Sequence, residues 1–471
     1  MGLRIYNTLK GKKQEFVPVE QGKVKMYVCG PTVYDTSHIG HARSVVVFDI
    51  VYRWFKYLGY EVLYARNFTD VDDKIIKKSN DTGEECKVIT EKYIKEFHNE
   101  MDSLNVLRPD IEPKATEHIE HIIKFIEKLI AKGKAYYIEG GDVYFSIESF
   151  KEYGKLSNRN IEDMKAGARI AIDKNKKSPF DFTLWKPAKK GEPFWESPWG
   201  KGRPGWHIEC SAMSYEYLGM PFDIHGGGKD LIFPHHENEI AQSEALYDRQ
   251  FVKYWMHNGF VDINNEKMSK SLGNFTMIKE VLAKYPAEAI RFFLLSKHYR
   301  SPIDYNEDSM KEVTISLDRV YTFLERAEKA GVKQDDSMHG PLWDDFTMAM
   351  NDDFNSARAI ASIFDSVKKG NTLLDHDNHN KELDMVYSDL RNMGKLLGIF
   401  LLKPKEYFEQ KNKQIIEDQS IDPKEVEILI AERNTARADK DFAKADAIRD
   451  KLQNMNIILK DGPEGTSWKI E

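Results

Sequence analysis

The sequence predicts an α/β protein: a doubly wound parallel sheet with a connective insertion, followed by an α-helical bundle and a small C-terminal α+β unit. Three features near the N-terminus predict the sheet. Residues 24–29 read as a buried strand, residues 42–58 carry apolar side chains at helical spacing before Gly59, and residues 61–68 repeat the strand pattern. This strand–helix–strand order indicates a parallel strand pair with a right-handed crossover. Ligands bind at the carboxyl ends of the strands in such folds.

The middle of the chain interrupts this pattern and then resumes it. Residues 113–132 are predicted to be helical, and residues 134–202 combine Gly, Pro and aromatic residues with short alternating segments, so we interpret the latter as an insertion. A strand pattern returns at residues 222–225. Gly226-Gly227-Gly228 then predicts a tight turn after that strand.

Beyond Pro302 the chain changes to long amphipathic helices, which predict a bundle. The expected helices span residues 307–330, 342–369 and 381–397. Residues 403–422 are polar, and we interpret them as a mobile linker. The last unit is expected to contain helices 423–439 and 442–455, a strand at 457–459 and a turn at 461–463.

Composition narrows the class of protein. The 471 residues are 41% hydrophobic and 31% charged, as in ordinary globular chains, and no run of eighteen apolar residues is present. The first residues lack the apolar stretch of a signal peptide, and three cysteines in so long a chain do not make a disulfide framework. We therefore expect a cytoplasmic protein with free thiols. The net charge of −7 neither indicates nor excludes a nucleic-acid partner, because phosphate binding depends on local basic patches.

The segment His38-Ile39-Gly40-His41 lies between the first strand and its helix. Gly40 allows close approach of the backbone to a phosphate, and the helix start supplies free amides. The imidazoles of His38 and His41 could donate hydrogen bonds to phosphate oxygens as charge builds at an α-phosphorus. The alternative is a pair of surface or capping histidines.

A second candidate nucleotide segment is Lys267-Met268-Ser269-Lys270-Ser271, which Asn and Gly residues bracket. Its two lysines could move onto a triphosphate and neutralise the charge that develops during nucleotidyl transfer. A solvated basic loop is the alternative for an isolated lysine pair, but the presence of both nucleotide segments in this order favours ATP binding.

Four distant residues form a candidate metal site. Cys29 and Cys210 are thiols, and His235 and Glu239 are spaced i, i+4 on a predicted helix. Zinc accepts these ligand types and usually takes four of them. His236 competes with His235, but on a regular helix it should point about 100° away from the face of Glu239. Two inert buried cysteines are the alternative; Cys86 has no such neighbours and is interpreted as incidental.

Residues around the glycine triplet complete the candidate site. Gly228 could bring the backbone against a nucleotide, and Asp230 could accept from a ribose hydroxyl or an amino group. Trp206, His207 and His225 flank the same region, although Trp206 could equally belong to the core.

These residues resemble the cysteinyl-tRNA synthetase family of class I aminoacyl-tRNA synthetases over essentially the whole chain. The matching segments are 27–35 with 38–41, 67–74, 202–213, 223–228, 234–242 and 267–274. The resemblance implies a Rossmann-type catalytic domain in two halves (1–120 and 203–260) around a connective insertion (121–202), then a stem-contact region (261–306), a helical bundle (307–402), a linker (403–422) and an anticodon-binding unit (423–471).

The resemblance also implies a chemistry. ATP would activate L-cysteine as cysteinyl-adenylate, and the product would pass to tRNA(Cys), with Mg²⁺ accompanying ATP and one zinc ion selecting the substrate thiolate. The implied catalytic residues are His38, His41, Lys267 and Lys270. The implied zinc ligands are Cys29, Cys210, His235 and Glu239. The implied ATP contacts are His38, Gly40, His41, Gly228, Asp230 and Lys270.

Further assignments follow from the same resemblance. Substrate cysteine would contact Thr69, Trp206 and His225, and the anticodon would contact Arg437, Phe442 and Asp446. Phe442 stands where the family often has tryptophan, a change that an aromatic stack on a base would survive. A monomer with no membrane partner is expected.

Two other functions remain open from the sequence. A cysteine-activating ligase could transfer cysteine to a small amine, but it would not need residues 307–471. A catalytically silent RNA-binding module would not need the histidines and lysines of the two nucleotide segments. Methionyl-tRNA synthetase normally carries its zinc on paired Cys motifs, which this sequence lacks.

Overall fold

A computed structural model describes residues 2–160, 176–268, 273–335, 339–376, 380–418, 422–455, 457–462 and 465–470. Within these ranges, no helix is both long enough and apolar enough to cross a bilayer. The first part of the chain contains the elements β1 (Arg4–Asn7), β2 (Lys12–Glu15), β3 (Lys23–Val28), α1 (Ile39–Tyr57), β4 (Glu61–Arg66), α2 (Asp73–Thr82), α3 (Cys86–Ser103) and α4 (Ile119–Ala131).

The middle part contains β5 (Ala135–Tyr137), β6 (Val143–Phe145), β7 (Phe182–Pro187), β8 (Gly202–Pro204), α5 (Trp206–Leu218), β9 (Phe222–Gly228), α6 (Glu237–Tyr247) and β10 (Val252–Asn258). Next come β11 (Val261–Ile263), β12 (Glu266–Lys267), α7 (Ile278–Lys284), α8 (Ala287–Leu295) and β13 (Ile303–Tyr305). The remainder contains α9 (Glu307–Lys329), α10 (Pro341–Asn351), α11 (Ser356–Asp375), α12 (Lys381–Leu397), α13 (Pro404–Asp418), α14 (Pro423–Ala438), α15 (Phe442–Asn454), β14 (Ile457–Gly462) and β15 (Gly465–Ile470).

The predicted parallel sheet is confirmed. Its described strands run in the order β10-β9-β3-β4, and every neighbouring pair is parallel. One face packs on α1 through side chains such as Met26 and Phe48. Tyr27, one residue along β3, points to the other face and packs in a separate cluster with Met213 of α5. Helices therefore cover both faces, and the carboxyl ends of β3, β9 and β10 meet at one edge.

The insertion is a small antiparallel sheet of its own, with strand order β5-β6-β7-β8. Its core packs against α4, α5 and α6 through residues including Ile126, Phe145 and Ile208. The short alternating segments within residues 134–202 therefore correspond to the described strands β5 to β8. Strand β8 leads directly into α5 and so connects the insertion to the second half of the main sheet.

The glycine triplet is not a tight turn, and that prediction is wrong. Gly226-Gly227-Gly228 belongs to β9 and pairs with β10. A Cβ at Gly226 would overlap the ring of Phe48, and a Cβ at Gly227 would lie 2.8 Å from Leu231 Cδ1. The glycines therefore serve close packing of the strand, which is the other common reason for glycine inside a strand.

The helical part differs from its prediction in two places. Residues 342–369 were expected to form one helix, but α10 ends at Asn351 because Asp353 and Phe354 take positive φ values of 68° and 51°. Residues 403–422 are not simply a linker, because α13 occupies most of them: Tyr407 stacks on Tyr321 at 3.9 Å and anchors this helix to α9. Helix α12, in contrast, has the predicted bounds.

Candidate active site and metal centre

A cavity of about 380 Å³ lies at the carboxyl edge of the main sheet. Its walls come from the segment after β3, the start of α1, the end of β9, the segment after β10 and the β12 hairpin. The sequence-predicted site residues among its lining are Cys29, His38, Gly40, His41, Trp206, Gly228, Asp230 and Lys267. The fold thus brings the candidate nucleotide segment at His38–His41, the described start of the second one (Lys267 and Met268) and one candidate metal ligand into a single cavity.

His38 and His41 cap the start of α1, as the alternative interpretation had it, and they also line the cavity. Nδ1 of His38 accepts from the backbone N–H of Gly40 at 3.1 Å, and Nδ1 of His41 accepts from that of His38 at 3.2 Å. The rings stack at 3.7 Å. Because each Nδ1 accepts, each neutral ring carries its proton on Nε2 and can donate from there.

Burial keeps these rings neutral. It lowers the pKa of His38 to about 4 and the pKa of His41 well below its usual value. The pair can therefore act as hydrogen-bond donors throughout the neutral pH range without holding a net charge in the free protein. Capping and phosphate contact are compatible functions of the same side chains, because they use different ring nitrogens.

Lys267 lies on the opposite wall, at the end of β12. Its ammonium group lies 4.2 Å from the centre of the Phe260 ring, a cation–π contact. The side-chain amide of Asn274 donates to the backbone carbonyl of Lys267 at 3.3 Å and so helps to hold the end of β12 in place. Lys270, the second predicted lysine, lies outside the described residues.

The four predicted metal ligands converge on one another, and of the four Cys29 also lines the cavity. Their donor atoms all lie within 4.8 Å of one another. Cys29 Sγ is 3.6 Å from Cys210 Sγ and 3.6 Å from Glu239 Oε1, and His235 Nε2 is 3.1 Å from Glu239 Oε1. Zinc bonds of about 2.0–2.3 Å in a tetrahedron require donor separations of roughly 3.3–3.8 Å. These residues therefore fit a zinc ion.

The local structure at His235 differs from the prediction. The helix begins at Glu237, because Phe233 is extended (φ −140°, ψ 130°) and makes residues 232–236 an irregular turn. The expectation that His236 points away from Glu239 is wrong: its Nε2 lies 3.9 Å from Glu239 Oε1, since residues spaced i, i+3 also share a side of a helix.

A second donor set consequently exists. It comprises Cys29, His225, His236 and Glu239, again within 4.8 Å of one another. His236 is already hydrogen-bonded through Nδ1 to His257 Nε2 at 2.8 Å. The two sets share Cys29 and Glu239, and they differ in whether Cys210 and His235 or His225 and His236 complete them.

Neighbouring histidines, His225 buried and His207 half-buried, orient the candidate ligands. His225 Nε2 lies 2.8 Å from Glu239 Oε2, and His207 Nδ1 lies 3.0 Å from His235 Nδ1. Metal-binding groups are usually held by such outer contacts. Burial raises the pKa of the Cys29 thiol well above its usual value, so a thiolate there requires a positive charge close by.

The three residues assigned to substrate cysteine occupy different places. Trp206 is 41% exposed, lines the cavity and stacks on His235 at 4.2 Å. Thr69 and His225 are buried and do not line the cavity; Thr69 donates to Glu209 Oε2 at 3.1 Å. Direct substrate contact by Thr69 and His225 stays a prediction.

Sequence reasoning missed other lining residues. Arg66 ends β4, and Asn258 ends β10, so both belong to the same carboxyl edge as Cys29. Arg66 is 1% exposed and pairs with Glu112 at 3.0 Å. The available signal was a polar residue at the carboxyl end of an apolar strand.

Comparison with known proteins assigns the family. Residues 15–315 match the model of the tRNA synthetases class I (C) catalytic domain, residues 345–401 the DALR domain, and residues 423–468 the cysteinyl-tRNA ligase anticodon binding domain. Cysteine–tRNA ligases of Trichlorobacter lovleyi and Geotalea daltonii are 51% and 53% identical to the chain, each alignment covering 100% of both proteins.

The chain belongs to the cysteine–tRNA ligase family of class I aminoacyl-tRNA synthetases.

Solved structures agree with this family at the level of fold. A methionyl-tRNA synthetase of Mycobacterium tuberculosis bound by methionyl-adenylate is similar with a TM-score of 0.58 at 13% identity, over 80% of this chain and 90% of that one. The LeuRS–tRNA–LeuAMS ternary complex of Agrobacterium radiobacter gives 0.59 at 14% identity, over 83% and 85%. The predicted fold class is thereby confirmed.

The match to an anticodon binding domain falls on helices α14 and α15 and the hairpin β14–β15. Phe442 begins α15 and is 63% exposed. Asp446 follows one turn later and pairs with Arg449 at 3.2 Å, while Arg437 is exposed in the last turn of α14. The assignment of these residues to the anticodon remains a prediction.

Proposed function

We propose that this chain ligates L-cysteine to tRNA(Cys) through a cysteinyl-adenylate intermediate, with a zinc ion at Cys29, Cys210, His235 and Glu239. The observation that carries the proposal is the position of Cys29. It belongs to the cluster of candidate metal ligands and also lines the same cavity as His38, His41 and Lys267. A thiol bound at the cluster would therefore have its carboxylate in reach of a nucleotide in the same cavity.

In the first step, a carboxylate oxygen of cysteine attacks the α-phosphorus of ATP. The bond to the bridging oxygen breaks, and pyrophosphate leaves with its Mg²⁺. The Nε2–H groups of His38 and His41 donate to the α-phosphate oxygens, where negative charge builds. Lys267 on the opposite wall holds the departing pyrophosphate, and Lys270 is proposed to assist it.

Other residues of the cavity bind and orient the nucleotide. Gly228 at the end of β9 lets the backbone approach the nucleoside, and Asp230 accepts from a ribose hydroxyl or the adenine amino group. Gly40 keeps the start of α1 open to the phosphates. In the second step, the 2′-hydroxyl oxygen of the terminal tRNA adenosine attacks the adenylate carbonyl. The hydroxyl proton passes to a phosphate oxygen of the adenylate, and AMP leaves as the bond from the carbonyl carbon to the bridging oxygen breaks.

The donor set supports selection by sulfur. When bound, zinc supplies a ligand position that a substrate thiolate fills and that the neutral hydroxyl of serine does not match. Cys210 favours the first donor set over the second, because it adds a second buried thiol with no other described function. A difference of about 4 kcal/mol would correspond to roughly 10³-fold discrimination, which makes a separate editing domain unnecessary.

The test measures cysteine-dependent ATP–pyrophosphate exchange and cysteinylation of tRNA. Wild-type protein should perform both. His41→Asn should lower the exchange rate about 10²-fold, as for loss of one donor to a developing oxyanion. Ser44→Ala, one turn along α1 in the same cavity wall, is the matched control and should remain near wild type. Exchange with serine at an efficiency within tenfold of that with cysteine would refute the selection mechanism.

Transfer to a small amine is the second candidate, and the structure offers little support for it. Helices α9 to α15 extend well beyond the catalytic domain, and residues 423–468 match an anticodon binding domain. Supplying tRNA or small amines as acceptors to preformed adenylate separates the two functions. We also propose that the protein is a monomer and is located in the cytoplasm. Size-exclusion chromatography with light scattering tests the monomeric state.

A further inference from the structure

A buried carboxylate of the helical region lies far along the chain from every residue of the proposed site. Asp353 follows α10 and is fully buried. Its Oδ1 accepts from the backbone N–H of Tyr6 at 2.8 Å and from the hydroxyl of Tyr299 at 2.8 Å. Its Oδ2 accepts from Nε of Arg300 at 2.7 Å and lies 3.5 Å from Nε2 of His298.

The backbone holds this carboxylate in place. Asp353 has a φ of 68°, a conformation that costs an L-residue free energy and that its surroundings must maintain. Its N–H donates to the carbonyl of Arg4 at 2.9 Å. The preceding residue differs sharply: the side chain of Asp352 is partly exposed and forms a surface ion pair with Lys13 at 2.7 Å. Two adjacent aspartates thus provide a natural pair of test and control.

The segment that Asp353 grips, residues 297–302, supports three walls of the cavity; we call it the strap. Arg43, two residues after His41, donates to the strap carbonyl of His298 at 3.1 Å. Lys229, beside Gly228, donates to the carbonyl of Arg300 at 2.8 Å. Gly259, a lining residue, donates its N–H to the carbonyl of Tyr299 at 2.8 Å.

The strap is also connected to the hairpin of β11 and β12, which carries Lys267 and which we call the lysine hairpin. Strand β13 follows it directly and pairs in parallel with β11, and β11 pairs with β12, which ends at Lys267. Gly259 has no room for a Cβ against the strap backbone at Ser301. The strap therefore sets the positions of the start of α1, the end of β9 and the lysine hairpin relative to one another.

We propose that Asp353 is a positioning residue for ATP: by holding the strap it aligns the nucleotide-binding walls, without touching substrate itself. The contacts reach the nucleotide side of the cavity, whereas Cys29 follows β3, Cys210 lies in α5 and Glu239 lies in α6, and none of these three makes a described contact with the strap. Loss of the carboxylate should consequently weaken ATP binding and leave cysteine and zinc binding unchanged.

The test compares Asp353→Asn with Asp352→Asn in the full-length protein. The amide keeps the shape of the side chain but presents an N–H group where two donors now point, so the strap shifts. We expect the KM for ATP in pyrophosphate exchange to rise about tenfold, given that a displacement of 1 Å can cost roughly 10²-fold. The KM for cysteine and the zinc content should stay within twofold of wild type, and Asp352→Asn should match wild type throughout.

Tyr299→Phe provides a milder second variant if Asp353→Asn does not fold. It removes one of the donors to Asp353 and should raise the KM for ATP in the same direction by a smaller factor. Equal changes in both KM values, or a lower melting temperature with an unchanged KM for ATP in both variants, would overturn the proposal in favour of a purely structural carboxylate.

The proposal rests on the proposed ATP-dependent activity, and the two can fail separately. Titration calorimetry with ATP measures nucleotide binding without turnover. Wild-type protein that binds ATP but shows no cysteine-dependent exchange would refute the proposed function alone. Exchange in the wild type together with unchanged ATP affinity in Asp353→Asn and Tyr299→Phe would refute the positioning role alone.

Discussion

Replacement of Gly40 by alanine directly tests the geometry of His38 and His41, the histidines proposed to bind phosphate. A Cβ at this position would lie 2.9 Å from His38 Nδ1, 3.0 Å from His38 Cε1 and 3.0 Å from Met268 Cε. The methionine end can move aside, but the His38 ring is stacked on His41 at 3.7 Å and accepts a hydrogen bond from Gly40 itself. The ring must therefore shift by several tenths of an ångström, and its cap bond weakens.

The expected magnitudes separate activity from stability. Loss of a helix cap costs about 1 kcal/mol, whereas alanine in place of glycine inside a helix gains up to about 1 kcal/mol. The unfolding free energy should therefore change by less than about 1 kcal/mol. The exchange rate should fall by up to about 10²-fold, the penalty of a misplaced catalytic donor.

The assay is cysteine-dependent ATP–pyrophosphate exchange, paired with urea unfolding. A double-mutant cycle supplies the control: in a His38→Asn background, Gly40→Ala should cost little more, because the displaced donor is already absent. The reasoning is refuted if Gly40→Ala retains exchange within threefold of wild type, or if it loses the same factor in both backgrounds.

Three further predictions concern the candidate metal centre, the pH dependence of stability, and the buried ion pair of Arg291 with Asp49. Cys210→Ser should lose zinc in a chelator competition that leaves wild type and Cys86→Ser fully loaded; retention of stoichiometric zinc would favour the donor set with His236. Burial lowers the pKa of His38 to about 4, below its unfolded value of about 6.5, so the unfolded chain binds the proton more readily. The contribution of His38 to stability is complete above about pH 6.5 and is lost as pH falls toward 4. In His38→Asn the unfolding free energy should therefore depend less steeply on pH in this range. An unaltered slope would contradict the lowered pKa of His38. Arg291 is fully buried and pairs with Asp49 while donating to the carbonyls of residues 397, 104 and 105; Arg291→Met should lower the unfolding free energy by about 3–5 kcal/mol, and a loss under 1 kcal/mol would show that the pair is dispensable.

The local sequence was sufficient to predict an element of the fold wherever one short segment contained all the residues that determine it. The parallel arrangement of β3 and β4 follows from residues 24–68, because a strand, a helix and a strand in that order have one common solution. Helix α12 has its predicted bounds for the same reason: Asn380 caps it and Gly398 ends it in a left-handed conformation. The position of the His38–His41 segment before α1 was also correct.

Predictions failed where a neighbour from elsewhere in the chain decided the outcome. The glycine triplet became strand because the ring of Phe48 occupies the space of a side chain. Most of the segment 403–422 is helical because the ring of Tyr407 stacks on the ring of Tyr321 and holds the segment against α9. The helix predicted over 342–369 was divided at Asp353, whose left-handed backbone is stabilised by Tyr6, Tyr299 and Arg300.

The sequence by itself determined the parallel pairing of the first two strands of the main sheet and the chemistry available to this protein: two segments suited to phosphate, and thiol, imidazole and carboxylate groups suited to zinc. Only the tertiary structure decided that Cys29 joins the candidate metal ligands to the cavity, that His236 also reaches Glu239, and that Asp353 reaches the strap. The physical reason is that residue types and short-range periodicity are local properties. Distances of about 3 Å between residues hundreds of positions apart depend on how all the packed elements meet.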